Sequence, residues 1–482
     1  MTAALRFGAR EIAPQEFEAA ARRAASGLEQ HGLGKGDVVC LMLHNRPAFL
    51  EAMFAARLLG AYYCPVNWHY KSEEAGWILR DSGARALVVE PALREQIAAG
   101  FPEGLAILDP EAFVSAFPWS GAERSPGVMM PYTSGTSGRA KGVRRAPLTA
   151  RELEAAAALA AQILGIAPGM RALLSAPLYH SAPNSYASNV MQRGELLVLE
   201  ERFDAERTLS LIQELKLTHA YLVPTMYVRL LRLPEATKTR YDLSSMRFVA
   251  STGSPCPAEV KRAMIEWWGP VFHESYAASE LGYVTAISSA ESLRKPGSAG
   301  RAAGEATIRI LDAAGRELPA GEIGLIYARQ PAYPDFTYNN DARSRRELER
   351  DGLWTLGDMG FLDAEGYLYV CDRASDMVIS GGVNIYPAEI EAALALMPGV
   401  RDCAVFGIPD AEFGEALCAA VQPEPGASVS QDDVVSYLRR RIADYKVPRC
   451  VTFHAELPRE ESGKIFKRRL RAPYWEKAGR KI

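Results

Sequence analysis

The residues best suited to chemistry stand first in one short stretch, YTSGTSGRAKGV, at positions 132–143. Thr133, Ser134, Thr136 and Ser137 carry short hydroxyls that both donate and accept hydrogen bonds. Gly135 and Gly138 between them allow close approach of the backbone to a ligand and conformations that side chains forbid. Arg139 and Lys141 add positive charge. Together these residues suit several phosphate oxygens. The stretch is not a Walker A loop, because Gly138 is followed by Arg-Ala-Lys-Gly rather than by the spacing that ends in Gly-Lys-Ser/Thr. A polar turn after a strand has the same composition, so the rest of the chain has to decide between the two.

The elements that must position this stretch form an α/β pattern. Apolar, β-branched runs at 37–43, 84–90, 171–177, 195–200, 218–224 and 246–252 read as strands. Amphipathic stretches at 46–60, 204–216 and 257–269 read as helices. Strands spaced by helices predict parallel sheets covered on both faces. From about position 300 the texture changes, and 306–329 and 360–373 read as antiparallel strands with glycine-containing turns. A second α/β unit begins near 386. The predicted architecture is therefore a large N-terminal domain of parallel-rich α/β layers with a β-rich subdomain, followed by a small α+β C-terminal domain. The boundary is set at Asp372–Asp376: residues 1–372, a hinge at 373–376, and 377–482.

Bulk properties exclude several classes. A chain of 482 residues exceeds what one core usually supports. Its formal charge of −3 gives no reason to expect a nucleic-acid partner. The seven cysteines are scattered with no CxxC pair, which predicts free thiols and a cytoplasmic setting rather than a disulfide framework or a zinc site. No apolar run is long enough to span a bilayer, and the first residues lack the pattern of a signal peptide.

Several sparse motifs then occur in one order: YTSGTSGRAKGV, PLYHSAP (177–183), YAASE (276–280), WTLGD (354–358), DRASDMVISGGVNIYPAEIE (372–391) and LPREESGKIFKRRLR (457–471). In this order they resemble the motifs of the adenylate-forming superfamily of acyl-CoA synthetases, carrier-protein adenylation domains and luciferases, over nearly the whole chain. The resemblance implies a two-step activation of a carboxylic acid, through an acyl-adenylate formed from ATP and then a thioester. It also implies a C-terminal domain that rotates about its hinge between the steps.

Residue by residue, the resemblance assigns Thr133, Ser134, Gly135, Thr136, Ser137, Gly138 and Lys141 to the phosphates of ATP. Tyr276 would stack on adenine against Gly253, Ser254 and Pro255, and Ser279 would hold the α-phosphate. Glu280 would be the Mg²⁺ ligand, since a hard cation wants carboxylate oxygen. Asp358 would accept from the ribose hydroxyls, and Arg373 would donate to ribose or α-phosphate in a forked geometry. Lys464 would neutralise the charge that builds during adenylation. Ser380, Gly381 and Gly382 would line a CoA tunnel, and Ser375 stands at the hinge, where the family usually has Asp or Lys.

The acyl pocket is expected to involve His180, as a gate rather than a base, with Met226, Tyr227, Thr252 and Ala277. Ala277 and Thr252 stand where glycine is common in the family and add volume, and the walls are mostly apolar. The expected substrate is an apolar aromatic or medium-chain acid, with CoA as the favoured thiol and a homodimer as the candidate assembly. Ligation to a carrier protein is the alternative, and a catalytically silent nucleotide- and acyl-binding protein is a third reading.

Overall fold

The computed structural model describes residues 1–121, 127–133, 140–381, 383–410, 412–459 and 465–477. The chain divides into two compact units. One comprises Met1–Ile308 with Ala328–Trp354, and the other Arg309–Tyr327 with Thr355–Ile482.

The first unit is built on a nine-stranded sheet. Six adjacent strands run parallel: Phe272–Ser275, Phe248–Thr252, His219–Tyr221, Arg171–Leu174, Leu196–Leu199 and Ala4–Phe7. Antiparallel strands flank them, Arg10–Ile12 at one edge and Thr285–Ser288 with Arg301–Ala302 at the other. Leu196–Leu199 (LLVL) is buried at every position, as a strand covered on both faces must be. A second, fully parallel sheet takes Tyr62–Pro65, Val38–Met42, Ala86–Val89 and Ala106–Leu108. The parallel α/β organisation expected from the sequence is therefore present.

The helices between strands begin and end where local chemistry dictates. Pro47 opens Pro47–Leu58, where its missing N–H costs nothing. Thr149 caps Ala150–Leu164 by accepting from Glu152 N while the Glu152 side chain answers the Thr149 N–H. That helix stops at Gly165 in the left-handed region (φ +68°), where a Cβ would stand 2.5 Å from the Phe248 ring. Only glycine meets both conditions.

In the second unit, Leu368–Arg373 pairs antiparallel with Leu353–Leu362, from Leu362 opposite Leu368 to Asp358 opposite Arg373. Further along, Val400–Asp410 and Gly414–Pro423 form a long hairpin, and Cys450–Phe453 adds in parallel. Alternation along the hairpin separates two cores. Val405, Leu417 and Val421 pack with Ile390, Leu394, Val434 and Leu438, from helices Pro387–Leu394 and Gln431–Arg439. Ala404, Phe406, Cys418 and Ala420 face Leu457 and Leu470, the latter on helix Lys467–Lys477. The seven cysteines are free thiols.

Candidate active site

The site grows from the carboxyl ends of the parallel strands of the first unit, where open α/β sheets present their ligand-binding loops. Strand Phe248–Thr252 runs straight into Gly253, Ser254 and Pro255, all three exposed. Gly253 turns at φ +102° with open space where a Cβ would stand. The neighbouring strand, with Thr252 opposite Ser275, runs into Tyr276. Tyr276 donates its N–H to Thr285 Oγ1 at 2.8 Å.

After Tyr276 the chain folds back in a short hairpin, Ala277–Ala278 against Gly282–Tyr283, and the turn between them carries Ser279 and Glu280. Gly282 has φ +76°, and a Cβ there would lie 2.4 Å from the Tyr333 ring. A side chain at 282 would therefore push the turn out of place.

Glu280 is 7% exposed. Its Oε1 accepts from Thr133 Oγ1 at 2.9 Å and from Tyr338 OH at 3.0 Å. Ser279 Oγ lies 3.0 Å from Ser181 Oγ, at the first position of helix Ser181–Arg193. Thr133 and Tyr338 reach Glu280 through a three-stranded antiparallel sheet of Tyr132–Thr133, Lys141–Arg145 and Phe336–Tyr338. Residues 134–139, which the sequence resemblance assigns to the phosphates, fall between the first two of these strands in sequence and lie outside the described residues.

Lys141 lies opposite Thr133, and its Nζ is 5.3 Å from the centre of the Tyr338 ring. The ammonium donates to Ser344 Oγ at 2.5 Å and pairs with Asp341 Oδ2 at 3.0 Å. The Ser344 hydroxyl and N–H, with Lys141, hold the Asp341 carboxyl down to a pKa of about 2. In this structure the lysine is thus already engaged by an acid and a hydroxyl.

His180 directly precedes helix Ser181–Arg193 without a side-chain capping bond, and its ring lies against Tyr179, with centroids 4.4 Å apart. The segment before it is fixed by Asn45, which accepts from Leu178 N at 2.8 Å and donates to Ala176 O at 2.9 Å. Met226 and Tyr227, on helix Pro224–Leu231, are buried, as is Thr252, while Ala277 is half-buried. The Tyr227 ring stands edge-on to Phe272 at 5.4 Å, and burial raises its hydroxyl pKa.

In the second unit, Arg373 Nε lies 3.3 Å from Asp358 Oδ1, across the strand pair. Ser375 O accepts from Arg471 Nη1 at 3.0 Å. Ser380 ends strand Val378–Ser380, and Gly381 (φ +57°) donates its N–H to Phe413 O at 2.8 Å.

Thr133, Ser279 and Glu280 are thus brought together in the first unit, with Lys141 one ring away, and Asp358 meets Arg373 in the second. Ser134, Gly135, Thr136, Ser137, Gly138, Gly382 and Lys464 lie outside the described residues. Sequence reasoning did not pick out Tyr338, Ser181, Asp341, Ser344 or Arg145. Among the described residues, no group of three or more His, Cys, Asp or Glu is arranged to hold a metal.

The Glu280 carboxylate is thus cradled by the hydroxyls of Thr133 and Tyr338, and comparison with known proteins shows the class to which the chain belongs. The family model of AMP-binding enzymes matches residues 2–333, and that of the AMP-binding enzyme C-terminal domain matches 389–464. The chain is 34% identical to a feruloyl-CoA synthase of an Amycolatopsis species, covering 97% of this chain and 95% of that protein. It is 33% identical to an indoleacetate–CoA ligase of Aromatoleum aromaticum, covering 96% and 93%. Among solved structures it matches the o-succinylbenzoate CoA synthetase of Bacillus subtilis in complex with its acyl-adenylate intermediate. There the TM-score is 0.83 at 30% identity, covering 97% of this chain and 94% of that one. The chain belongs to the AMP-binding enzyme family and is an AMP-forming acyl-CoA synthetase, an acid–thiol ligase.

Proposed function

We propose that this ligase acts on an apolar aromatic acid, joining it to CoA through an acyl-adenylate. The observation that carries the reading is the buried Glu280 carboxylate, held by Thr133 at the mouth of the phosphate loop with the Ser279 hydroxyl next in the chain. In the first step a carboxylate oxygen of the acid attacks the α-phosphorus of ATP, and the bond to the bridging oxygen breaks to release pyrophosphate. In the second, the CoA thiol, losing its proton, attacks the acyl carbon and AMP departs.

An anion approaching a polyanion needs positive charge and oriented donors around it. Thr133 and the loop hydroxyls would orient the β- and γ-phosphates, and Ser279 the α-phosphate. Lys464 would sit against the charge that develops during adenylation. The donor set around Glu280, one carboxylate with neighbouring hydroxyls, suits Mg²⁺, which is commonly bound by one or two carboxylates plus substrate phosphates. When bound, that ion would offset phosphate charge.

Tyr276 and the Gly253–Pro255 loop would sandwich adenine. The Asp358 carboxylate would take the ribose hydroxyls, with Arg373 beside it. Ser380, Gly381 and Gly382 would admit the thiol arm of CoA after rotation about Ser375, with residues 377–482 as the moving domain. The reading also takes the enzyme to be cytoplasmic and homodimeric. Among the described residues, no helix is long and apolar enough to cross a membrane.

Met226 and Tyr227, both buried, and Ala277 support an aromatic acid, as do two relatives named for aromatic acids. The test is a panel of ferulate, cinnamate, benzoate, indoleacetate, octanoate and acetate with ATP, magnesium and CoA, read as acyl-CoA by mass. The reading predicts the highest kcat/KM with one of the aromatic acids. Acetate or octanoate outperforming all of them would overturn the acid assignment.

A further inference from the structure

We infer that Arg145 is a positioning residue for the turn that carries Ser279 and Glu280, an assignment that rests on the proposed function of that turn. Arg145 ends the strand that follows the phosphate loop, and as a residue it is half-buried. Its Nη2 donates to Ser279 O at 3.2 Å and to Glu280 O, and its Nη1 donates to Pro334 O. The guanidinium lies 5.8 Å from the centre of the Tyr333 ring and 5.8 Å from that of Phe336. One rigid fork therefore ties the backbone of two consecutive site residues to the strand that leads out of the phosphate loop.

The arrangement is costly in isolation. Burial lowers the Arg145 pKa below its ordinary value, against the pull of Tyr333, Glu280 and Asp335. A charge drawn inward whose hydrogen-bond partners here are backbone carbonyls does little for stability that an apolar side chain could not do. What it supplies is geometry. The Glu280 side chain is fixed by Thr133 and Tyr338, but its backbone, and that of Ser279, is held by Arg145. Without the fork, the Ser279 hydroxyl and Glu280 carboxylate lose a common anchor to the strand beside the loop.

A planar five-donor fork does this where lysine, whose three donors share one nitrogen on a flexible stem, cannot span both carbonyls and Pro334 O together. The turn is defined by a hairpin of only two residues per strand, so little else on its own ladder restrains it.

The test compares Arg145→Lys and Arg145→Met with the natural protein in calorimetric binding of MgATP and of AMP, with neither acid nor CoA present, alongside thermal melting. AMP keeps the α-phosphate proposed for Ser279 but carries neither the β- and γ-phosphates nor the magnesium proposed for Glu280, so its binding loses less than that of MgATP when the turn shifts. Both variants are expected to weaken MgATP binding by about tenfold or more, the equivalent of one lost charge-assisted hydrogen bond. AMP binding should stay within about threefold, with melting within a few degrees. A lysine variant that binds MgATP like the natural protein overturns the assignment, because charge rather than the fork would then suffice. Variants that lose both nucleotides in proportion, or melt far lower, assign Arg145 to general stability and overturn it as well. A natural protein that binds neither nucleotide overturns the proposed function itself, and the positioning role with it.

Discussion

Beneath the Gly253–Pro255 loop lies a buried ion pair whose removal should be felt in both folding and nucleotide binding. Lys261, on helix Ala258–Trp268, places its Nζ 2.5 Å from Glu274 Oε2, with side chains only 7% and 10% exposed. Glu274 sits on strand Phe272–Ser275, two residues before Tyr276, and its carboxylate also accepts the N–H of Cys256. Burial pushes the Glu274 carboxyl up, while Lys261 and the Cys256 N–H pull it back. The pair therefore ties the proposed adenine wall, its supporting helix and the strand entering Tyr276 to one point.

Lys261→Met keeps the aliphatic stem and removes the charge, leaving Glu274 buried without a counter-ion, which costs about 3–5 kcal/mol. Adding Glu274→Gln removes the stranded charge, and the double variant should return to within about 2 kcal/mol of the natural protein. Against a single loss of about 3–5 kcal/mol, a double variant within about 2 kcal/mol leaves a coupling energy of at least about 1 kcal/mol, increased by whatever Glu274→Gln costs alone. Urea unfolding followed by tryptophan fluorescence measures it, with Trp267 and Trp268 on the same helix as reporters. Single-variant losses that simply add in the double variant would refute the argument.

Three further outcomes are expected. Glu280→Gln retains an Oε1 acceptor for Thr133 and Tyr338 and should melt like the natural protein, while pyrophosphate release falls by about a hundredfold or more; full activity with normal melting would contradict the role given to Glu280. Asp358→Asn would exchange the charge-assisted ribose contacts proposed for Asp358 for neutral ones and should weaken AMP binding by about 2 kcal/mol, or roughly thirtyfold, which direct titration with AMP checks. His219 and His273 stack on either side of Phe248, at 6.1 and 3.8 Å, and burial lowers both to a pKa of about 4. Because the folded pKa lies below the unfolded value of about 6.5, stability is complete above that value. It should be lost as pH falls toward 4, by at most about 1.4 kcal/mol per pH unit for each histidine. Replacing both by Gln should flatten urea midpoints over that window, and an unchanged slope would count against it.

Much of the molecule is legible in the sequence itself. The run DVVCLML contains the strand Val38–Met42, and RALLSAP the strand Arg171–Leu174, because each carries its own apolar pattern. Glu280 was legible for its place in YAASE, but its partners were not. Thr133 and Tyr338 stand 147 and 58 residues away, and a hydroxyl in FTY advertises nothing about where its strand docks. Nothing in the sequence sets Arg145 apart from its neighbour Arg144, since its contacts with the turn depend on a strand that pairs it opposite Phe336. Lys141 was read toward phosphate. That Asp341 and Ser344 lie within its reach depends on a cross-strand register no local pattern encodes.

The account stands most directly on the fate of ATP. Incubating the protein with ATP, magnesium and the best acid of the panel, without CoA, and then analysing the mixture by mass should reveal pyrophosphate and the acyl-adenylate. Adding CoA should convert that adenylate to acyl-CoA and AMP. Formation of ADP and phosphate in place of AMP and pyrophosphate would contradict the account at its root.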